Sequence, residues 1–164
     1  MTVVADSSPL VILAKLGCFD LLKQLFPRIY ISKEVYGEVV IAGRGLPGAL
    51  EVAKAEWIEV KEVQNRVESS GVEKAHSLGA GEISTILLAK EIHSNEVLLD
   101  DYHARKIARS KGLQVRGTLG LLEALHLLNH LPDLRATLRQ LLAHSYIDQR
   151  LIDRRLRALG LHPL

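Results

Sequence analysis

The chain has 164 residues, of which 48% are hydrophobic, and a formal net charge of +2. This length suits one domain with a hydrophobic core, and no run of about twenty apolar residues indicates a membrane span. The N-terminus lacks the pattern of a signal peptide, and the single cysteine, Cys18, excludes a disulfide framework, so a cytoplasmic protein without membrane contact is expected.

The first predicted element is a buried strand over residues 2–5, which is short, rich in β-branched residues and followed by turn formers. It ends at Asp6, and Ser7 or Ser8 is expected to cap the next helix, with Pro9 in the first helical position. A carboxylate between a strand and a helix lies where open α/β sheets keep their active sites. Asp is also a favoured helix cap, so Asp6 has both a functional and a structural interpretation.

Short apolar strands and helices alternate along the rest of the chain. After helical segments at 10–16 and 20–26, the pattern predicts strands at 28–31, 57–63, 97–99 and 113–115. Helices are expected at 33–41, 50–55, 68–77, 82–92, 102–111, 119–129, 133–143 and 147–159, with Ser32 and Thr118 as N-caps. Glycines mark a loop at 43–48 and a hinge at 79–81. The expected fold class is α/β: one domain over residues 1–164, with a parallel sheet covered on both faces and a helical C-terminal extension at about 133–160.

Carboxylates stand at or near four predicted strand ends or helix starts: Asp6, Glu38, Glu82 and the pair Asp100 and Asp101. Parallel packing would bring Asp6 and Asp100 to the same edge of the sheet. Gathered carboxylates repel one another unless a cation compensates them, and hard oxygen ligands select Mg²⁺ or Mn²⁺ rather than zinc. Such ions can activate water and stabilise the reacting oxygens of a phosphodiester. Taken singly, Glu82 and Asp101 also fit helix-terminal charges, and Glu38 fits a surface residue.

Charge is unevenly distributed along the chain. Residues 1–99 carry 10 basic and 13 acidic side chains, whereas residues 100–164 carry 11 basic and 6 acidic ones. This asymmetry suits a polyanionic partner, or simply the solvated faces of surface helices. Arg105 and Arg109, four residues apart on the helix after Asp100, are candidates to hold the phosphates of such a partner or to pair with surface carboxylates.

Other chemistries have less support from the residues. His126 and His130 have the spacing of a zinc pair on one helix face, but no acid follows the first His as a metalloprotease requires. The glycine-rich stretch 43–48 lacks the Lys-Ser/Thr ending of a P-loop. Asp6 has no second Asp two residues on, which argues against a phosphoaspartate phosphatase. Cys18 fits an inert buried thiol.

Four stretches of the sequence, at 6–10, 35–39, 79–82 and 98–101, resemble in this order the motifs of PIN domains. They are most similar to a prokaryotic branch related to VapC toxins and usually described only as predicted nucleic-acid-binding proteins. Residues 104–105, 112–113 and 117–120 fit that branch too, and the resemblance covers roughly residues 2–160.

The resemblance implies a three-layer α/β/α sandwich with an acidic pocket that binds Mg²⁺ or Mn²⁺. It also implies endoribonuclease activity, a homodimer and, for toxin members, neutralisation by a partner antitoxin. By position, the acids would be Asp6, Glu38, Glu82 and Asp100, with Asp101 as the alternative to Asp100. The residues expected to orient a ligand or bind nucleic acid are Ser8, Arg105, Arg109 and Thr118.

Three features of the chain depart from the toxin pattern. Leu98 or Leu99, according to which aspartate is the fourth acid, stands where toxins commonly have Thr. The third acid is Glu82 rather than the more common Asp, and the helical C-terminus exceeds the compact toxin domain.

The first hypothesis is a metal-dependent ribonuclease, with a toxin role as its more specific form. The second is a catalytically weak or inactive nucleic-acid-binding or regulatory module.

Overall fold

Five short strands form one parallel sheet at the centre of the computed structural model, which describes residues 1–66, 78–144 and 147–164. The strand order is β3-β2-β1-β4-β5, and every pair is parallel. The strands are β1 (Val3–Ala5), β2 (Ile29–Ser32), β3 (Ile58–Lys61), β4 (Glu96–Leu98) and β5 (Val115–Arg116). The predicted α/β fold with a central parallel sheet is confirmed, while the predicted helix at 68–77 lies outside the described residues.

Helices connect the strands and form the C-terminal region. Before β3 they are α1 (Ser7–Lys15), a 3₁₀ turn (Phe19–Leu21), α2 (Leu22–Leu25), α3 (Lys33–Tyr36), which continues as a π-helical segment (Gly37–Ala42), and α4 (Ala49–Lys54). After β3 they are α5 (Ala80–Glu91), α6 (Tyr102–Ser110), α7 (Thr118–Leu127), α8 (Leu134–His144) and α9 (Gln149–Ala158). None of the helices in the described part of the chain has the length and apolar character that crossing a bilayer needs.

The two faces of the sheet are covered by different helices. Side chains alternate along a strand, so Val3 and Ala5 belong to one apolar cluster and Val4 to the other. The first cluster includes residues of α1 to α4 and of α7 to α9. The second is formed with residues of α5 and α6. This arrangement is the predicted three-layer α/β/α sandwich.

The order of the strands creates a crevice at one edge of the sheet. The chain runs outward from β1 to β2 and β3 and then returns to place β4 on the other side of β1. Ala5 is aligned with Leu98, and the Asp6 amide donates to the Leu98 carbonyl at 3.0 Å. In open α/β sheets, ligand sites lie beyond the carboxyl ends of the two neighbouring strands whose following connections lead to opposite sides of the sheet. Asp6 and Asp100 follow the two strands that form this switch point.

Three local predictions about helix starts are wrong. The N-cap of α1 is Asp6, whose backbone is extended, so Pro9 is the third helical residue; it is tolerated there because amides of the first turn have no helical partner. Residues 79–81 do not form a hinge, since Gly79 caps α5 and the helix already begins at Ala80. Gly117, not Thr118, occupies the N-cap position of α7.

The helical extension packs onto the domain through apolar and charged contacts. Leu138 of α8 and Leu156 of α9 are buried in the first apolar cluster. The Arg155 guanidinium forms a two-pronged ion pair with the buried Glu123 of α7, and its Nε lies 2.7 Å from Oε1. Arg135 donates to the carbonyls of the last residues, which ties the C-terminus to α8. The C-terminal helices therefore share the first apolar cluster with α1 to α4 and α7.

Candidate active site

The acidic edge of the sheet consists of the carboxylates Asp6, Glu38, Glu82 and Asp100, and the charges of the other three act on Asp6. Asp6 is only 5% exposed, and although it holds the N-cap position of α1, its side chain makes no capping hydrogen bond. Burial is the main cause that raises the pKa of Asp6 to about 7, and the charges of Glu82, Glu38 and Asp100 add to this effect. The charges of three other acids that the sequence analysis selected thus act on Asp6, and burial isolates its side chain from water.

Glu38 projects from the π-helical segment toward the start of two other helices. Its carboxylate accepts a hydrogen bond from the Ser7 hydroxyl at 2.5 Å and from the Gly81 amide at 3.1 Å. A methyl group on Gly81 would lie 2.7 Å from both Glu38 oxygens, which is closer than such atoms can approach. The glycine therefore permits the carboxylate to sit against the N-terminus of α5, where the helix dipole favours negative charge.

Ser7 is a residue that the sequence analysis did not assign to the site. Its neighbour Ser8 was selected instead, because the family resemblance points to the position two residues after Asp6. Ser8 is exposed and lines a cleft beside the acids, whereas Ser7 contacts an acid directly. The only signal for Ser7 in the sequence is a hydroxyl side chain immediately after the strand-terminal aspartate.

Glu82 is held by its own helix. Its carboxylate accepts the Gly79 amide at 2.9 Å, which completes a capping interaction in the first turn of α5. Partial burial raises the pKa of Glu82, and the nearby charges of Asp101 and Glu38 raise it further. Glu82 therefore caps α5 and also lies close enough to other acids to feel their charges.

Asp100 and Asp101 point to different partners. The Asp100 carboxylate accepts the Thr118 amide at 2.7 Å and the Thr118 hydroxyl at 2.6 Å, so it is fixed against the start of α7. Asp101 is exposed and caps α6 by accepting the Ala104 amide at 2.8 Å. Asp100 is the member of the pair whose charge acts on Asp6.

A cleft of about 970 Å³ extends from this acidic edge. Ser8, Glu82, Asp100 and Asp101 line it together with Thr118. The cleft then continues between α6, the start of α7 and the C-terminal helices. Among the described residues, its lining includes the arginines Arg105, Arg109, Arg116 and Arg155.

Three of these arginines already have protein partners. Nη1 of Arg105 donates to the Leu99 carbonyl at 2.9 Å, and burial together with the nearby Arg109 charge lowers the pKa of Arg105. Arg116 pairs with the buried Glu96 at 2.5 Å, and Arg155 pairs with Glu123 of α7. The guanidinium of Arg109, by contrast, forms no hydrogen bond or ion pair with another described residue. It is therefore the best placed of the four to receive a ligand anion.

The donor set fits a hard divalent cation by its chemistry. It consists of carboxylate oxygens, which Mg²⁺ and Mn²⁺ prefer, and a cation would offset the burial and the neighbouring negative charges that together raise the pKa of Asp6. Within residues 1–66, 78–144 and 147–164, no three acidic, histidine or cysteine side chains are grouped closely enough to hold an ion. Glu38 and Glu82 are turned to amide donors instead, so binding by the full set requires side-chain rotation.

His126 and His130, whose spacing resembles that of a zinc pair, do not lie on one helix face. α7 ends at Leu127, and Asn129 adopts a positive φ of 59°, so His130 lies beyond the helix that contains His126. The i, i+4 relation that a helical zinc pair needs is therefore lost. Cys18 is buried, as expected for a structural thiol, and its Sγ lies 3.5 Å from the Leu16 carbonyl.

The chain matches a known protein family. A family model described as a PIN domain matches residues 2–161. No match to the chain was found among curated proteins. The matched range includes the acidic edge, the cleft and both helices of the C-terminal extension.

Proposed function

Since the chain belongs to the PIN-domain family, we propose that it is a metal-dependent endoribonuclease that hydrolyses phosphodiester bonds of RNA. PIN domains are generally nucleases, and the family match implies a nucleic-acid substrate. The observation that carries the finer proposal is Asp6, a buried carboxylate at the switch point of the sheet whose pKa is raised by burial and by three other acids. Such a site favours the binding of a cation.

Four carboxylates would hold Mg²⁺ or Mn²⁺: Asp6, Glu38, Glu82 and Asp100. When bound, one or two such ions activate water and stabilise the attacking and leaving oxygens of a phosphodiester. Asp100 is preferred over Asp101 as the fourth acid because its charge acts on Asp6, whereas Asp101 caps α6. Asp101 remains close enough for its charge to act on Glu82.

The other residues of the site would orient these acids and the substrate. Ser7 and the Gly81 amide hold Glu38, and Thr118 holds Asp100. Ser8, which is exposed in the cleft, would orient a water molecule or a substrate oxygen. Arg109 would bind an RNA phosphate, and Arg105, which lines the same cleft, would add positive charge beside it.

Cleavage of total cellular RNA with Mn²⁺ or Mg²⁺ tests the proposal, with wild type compared with Asp6→Asn. Wild type is expected to give discrete fragments that disappear with EDTA, and Asp6→Asn to give none while keeping its fold by circular dichroism. Asp133→Asn is the matched control, because Asp133 caps α8 at the surface and Asn is an equally good cap. Full activity of Asp6→Asn would reject the site.

A catalytically inactive nucleic-acid-binding module is the second candidate. It is favoured by one observation, namely that Glu38, Glu82 and Asp100 accept hydrogen bonds from amides or hydroxyls, and that no three side chains of the described residues form a ready ligand group. Titration with Mn²⁺ separates the two candidates. Binding that is lost in Asp6→Asn supports the nuclease, whereas RNA binding without specific Mn²⁺ binding supports the module.

A toxin role, an antitoxin partner, a homodimer and a cytoplasmic location are the more specific parts of the proposal. A neighbouring reading frame that encodes a small protein co-purifying with this chain would support the toxin role. The mass of the purified chain in solution, measured by light scattering, tests the homodimer. The cleavage assay tests the nuclease proposal whatever these two experiments show, because all residues of the acidic edge belong to one chain.

A further inference from the structure

Tyr102 is a large exposed aromatic side chain next to the acidic edge. It is the first residue of α6, immediately after Asp100 and Asp101, and it is 73% exposed. In the described part of the chain it is the only tyrosine, phenylalanine or tryptophan that lines the cleft. Its ring contacts the neighbouring His103 ring at 79°, with 5.4 Å between the centroids. This ring buries little surface within the protein, so the fold does not explain its size.

The face of α6 that lines the cleft combines this ring with two cations. Tyr102, Arg105 and Arg109 are related by three and seven positions, which places them on one side of the helix. The opposite side is apolar and buried through Ala104 and Ala108. Seven residues of helix separate Tyr102 from Arg109 by about 10 Å along the axis. The cleft face of α6, defined by these three residues, therefore runs from the carboxylates to the guanidinium of Arg109, which has no hydrogen-bond or ion-pair partner among the described residues.

We propose that Tyr102 stacks on a nucleobase next to the scissile phosphate, which the proposed function places at the acidic edge. Arg109 would bind a phosphate further along the same RNA strand. This inference rests on the proposed function and specifies how its substrate is held. Aromatic rings and cations in one groove are the combination by which proteins hold single-stranded nucleic acids. A base within a duplex has its faces covered by its neighbours, so stacking on Tyr102 requires an unpaired nucleotide. Because every base has a π-face, the contact selects strandedness and tolerates any base.

The test measures RNA binding by the full chain in EDTA, which prevents metal-dependent cleavage. The probe is a short single-stranded RNA that carries 2-aminopurine, whose fluorescence falls when it stacks. Tyr102→Ala is expected to raise the Kd about tenfold and to remove the quenching, whereas Tyr102→Phe keeps both. A duplex of the same sequence should bind wild type and Tyr102→Ala equally.

Salt dependence separates the aromatic contact from the ionic one. Arg109→Ala should reduce the slope of log Kd against log salt concentration by about the contribution of one phosphate contact. Tyr102→Ala should leave this slope unchanged. Arg154→Ala is the matched control, because Arg154 is exposed on α9 and does not line the cleft.

Two results would count against the inference in different ways. If wild type binds single-stranded RNA and Tyr102→Ala binds it with the same Kd and quenching, the stacking role is wrong and the proposed function stands. If wild type neither binds nor cleaves RNA, the proposed function fails, and this inference fails with it.

Discussion

The Ser7 hydroxyl donates a hydrogen bond to Oε2 of Glu38 at 2.5 Å, joining the residue after Asp6 to an acid 31 positions later. The Gly81 amide binds the other carboxylate oxygen. Glu38 is therefore positioned by the starts of α1 and α5, and not only by the π-helical segment that carries it. The precision of the acidic edge depends on contacts between three separate elements.

Removal of the Ser7 hydroxyl should weaken cation binding more than it weakens the fold. Ser7→Ala is expected to lower Mn²⁺ affinity and RNA cleavage about tenfold, the effect typical of residues that orient metal ligands. Isothermal titration measures the affinity, and thermal unfolding measures the stability. Ser7→Thr restores a hydroxyl and should recover most of the affinity. Equal affinities for wild type and Ser7→Ala would show that this hydrogen bond does not position Glu38.

A methyl group at position 81 should displace Glu38. Gly81→Ala would place Cβ 2.7 Å from both carboxylate oxygens, so we expect a loss of Mn²⁺ binding of tenfold or more. Gly37→Ala is the control, since a methyl group on that helical glycine would meet no neighbouring atom within 4 Å and should add up to about 1 kcal/mol of stability from helix propensity. If both alanine variants bind Mn²⁺ like wild type, Glu38 does not need this close approach.

The stability of the chain should fall as pH rises toward neutrality in EDTA. The pKa of Asp6 is about 7 in the fold, above its usual value, so the folded chain binds this proton more tightly than the unfolded chain. The contribution is complete below about pH 4 and is lost as pH rises through about 7, with a slope of at most about 1.4 kcal/mol per pH unit.

Asp6→Asn isolates this contribution, because the amide does not ionise. Chemical denaturation across the pH range should show Asp6→Asn more stable than wild type at pH 8, with a smaller difference at pH 4. Mn²⁺ should stabilise wild type at pH 8 and leave Asp6→Asn unchanged. Parallel stability curves for the two proteins would contradict the raised pKa of Asp6.

The Thr118 hydroxyl should matter for the site through Asp100. Thr118→Val keeps the shape and the amide but removes the 2.6 Å hydrogen bond to Oδ2. We expect Mn²⁺ affinity to fall about tenfold, with recovery in Thr118→Ser, which retains a hydroxyl. Calorimetric titration of the three proteins decides the point, and an affinity in Thr118→Val equal to that of wild type would exclude this role.

The Arg155–Glu123 pair should stabilise the C-terminal extension. Arg155→Met leaves the buried Glu123 without its partner, so the free energy of unfolding should fall by about 1–3 kcal/mol. Arg154→Met is the matched control on the same helix, because Arg154 is exposed and its replacement should change stability little. Denaturant unfolding measures both variants, and the interpretation fails if they unfold at the same midpoint.

Much of the architecture was predictable because burial leaves local patterns. The strands at 28–31 and 97–99 were placed within one residue of β2 and β4, since runs of apolar β-branched residues bounded by turn formers indicate buried strands. Helix starts were less predictable. Several residues at each start can cap a helix, and the choice at Asp6 and Gly117 depends on where the preceding strand ends.

Side-chain partners at the site were beyond the reach of the pattern. Thr118 was expected to cap a helix, yet its hydroxyl binds Asp100, 18 positions earlier. Arg105 was selected for its charge, and its Nη1 is directed to the Leu99 carbonyl. Gly117 permits this packing, because a methyl group there would overlap the Arg105 guanidinium and lie 3.0 Å from Asp100 Oδ1.

The sequence by itself determined the alternation of strands and helices and the positions of the carboxylates after β1 and β4, because apolar periodicity and strand-terminal residues are local properties. Only the tertiary structure decided which groups hold Glu38 and Asp100. Ser7 and Gly81 meet Glu38 across 31 and 43 positions of the chain. The first contact arises because α1 and the π-helical segment pack on the same face of the sheet, and the second because α5 reaches Glu38 from the other face. A side-chain hydrogen bond requires the donor–acceptor distance to be correct within a few tenths of an ångström. That distance is fixed only when the helices and strands pack together.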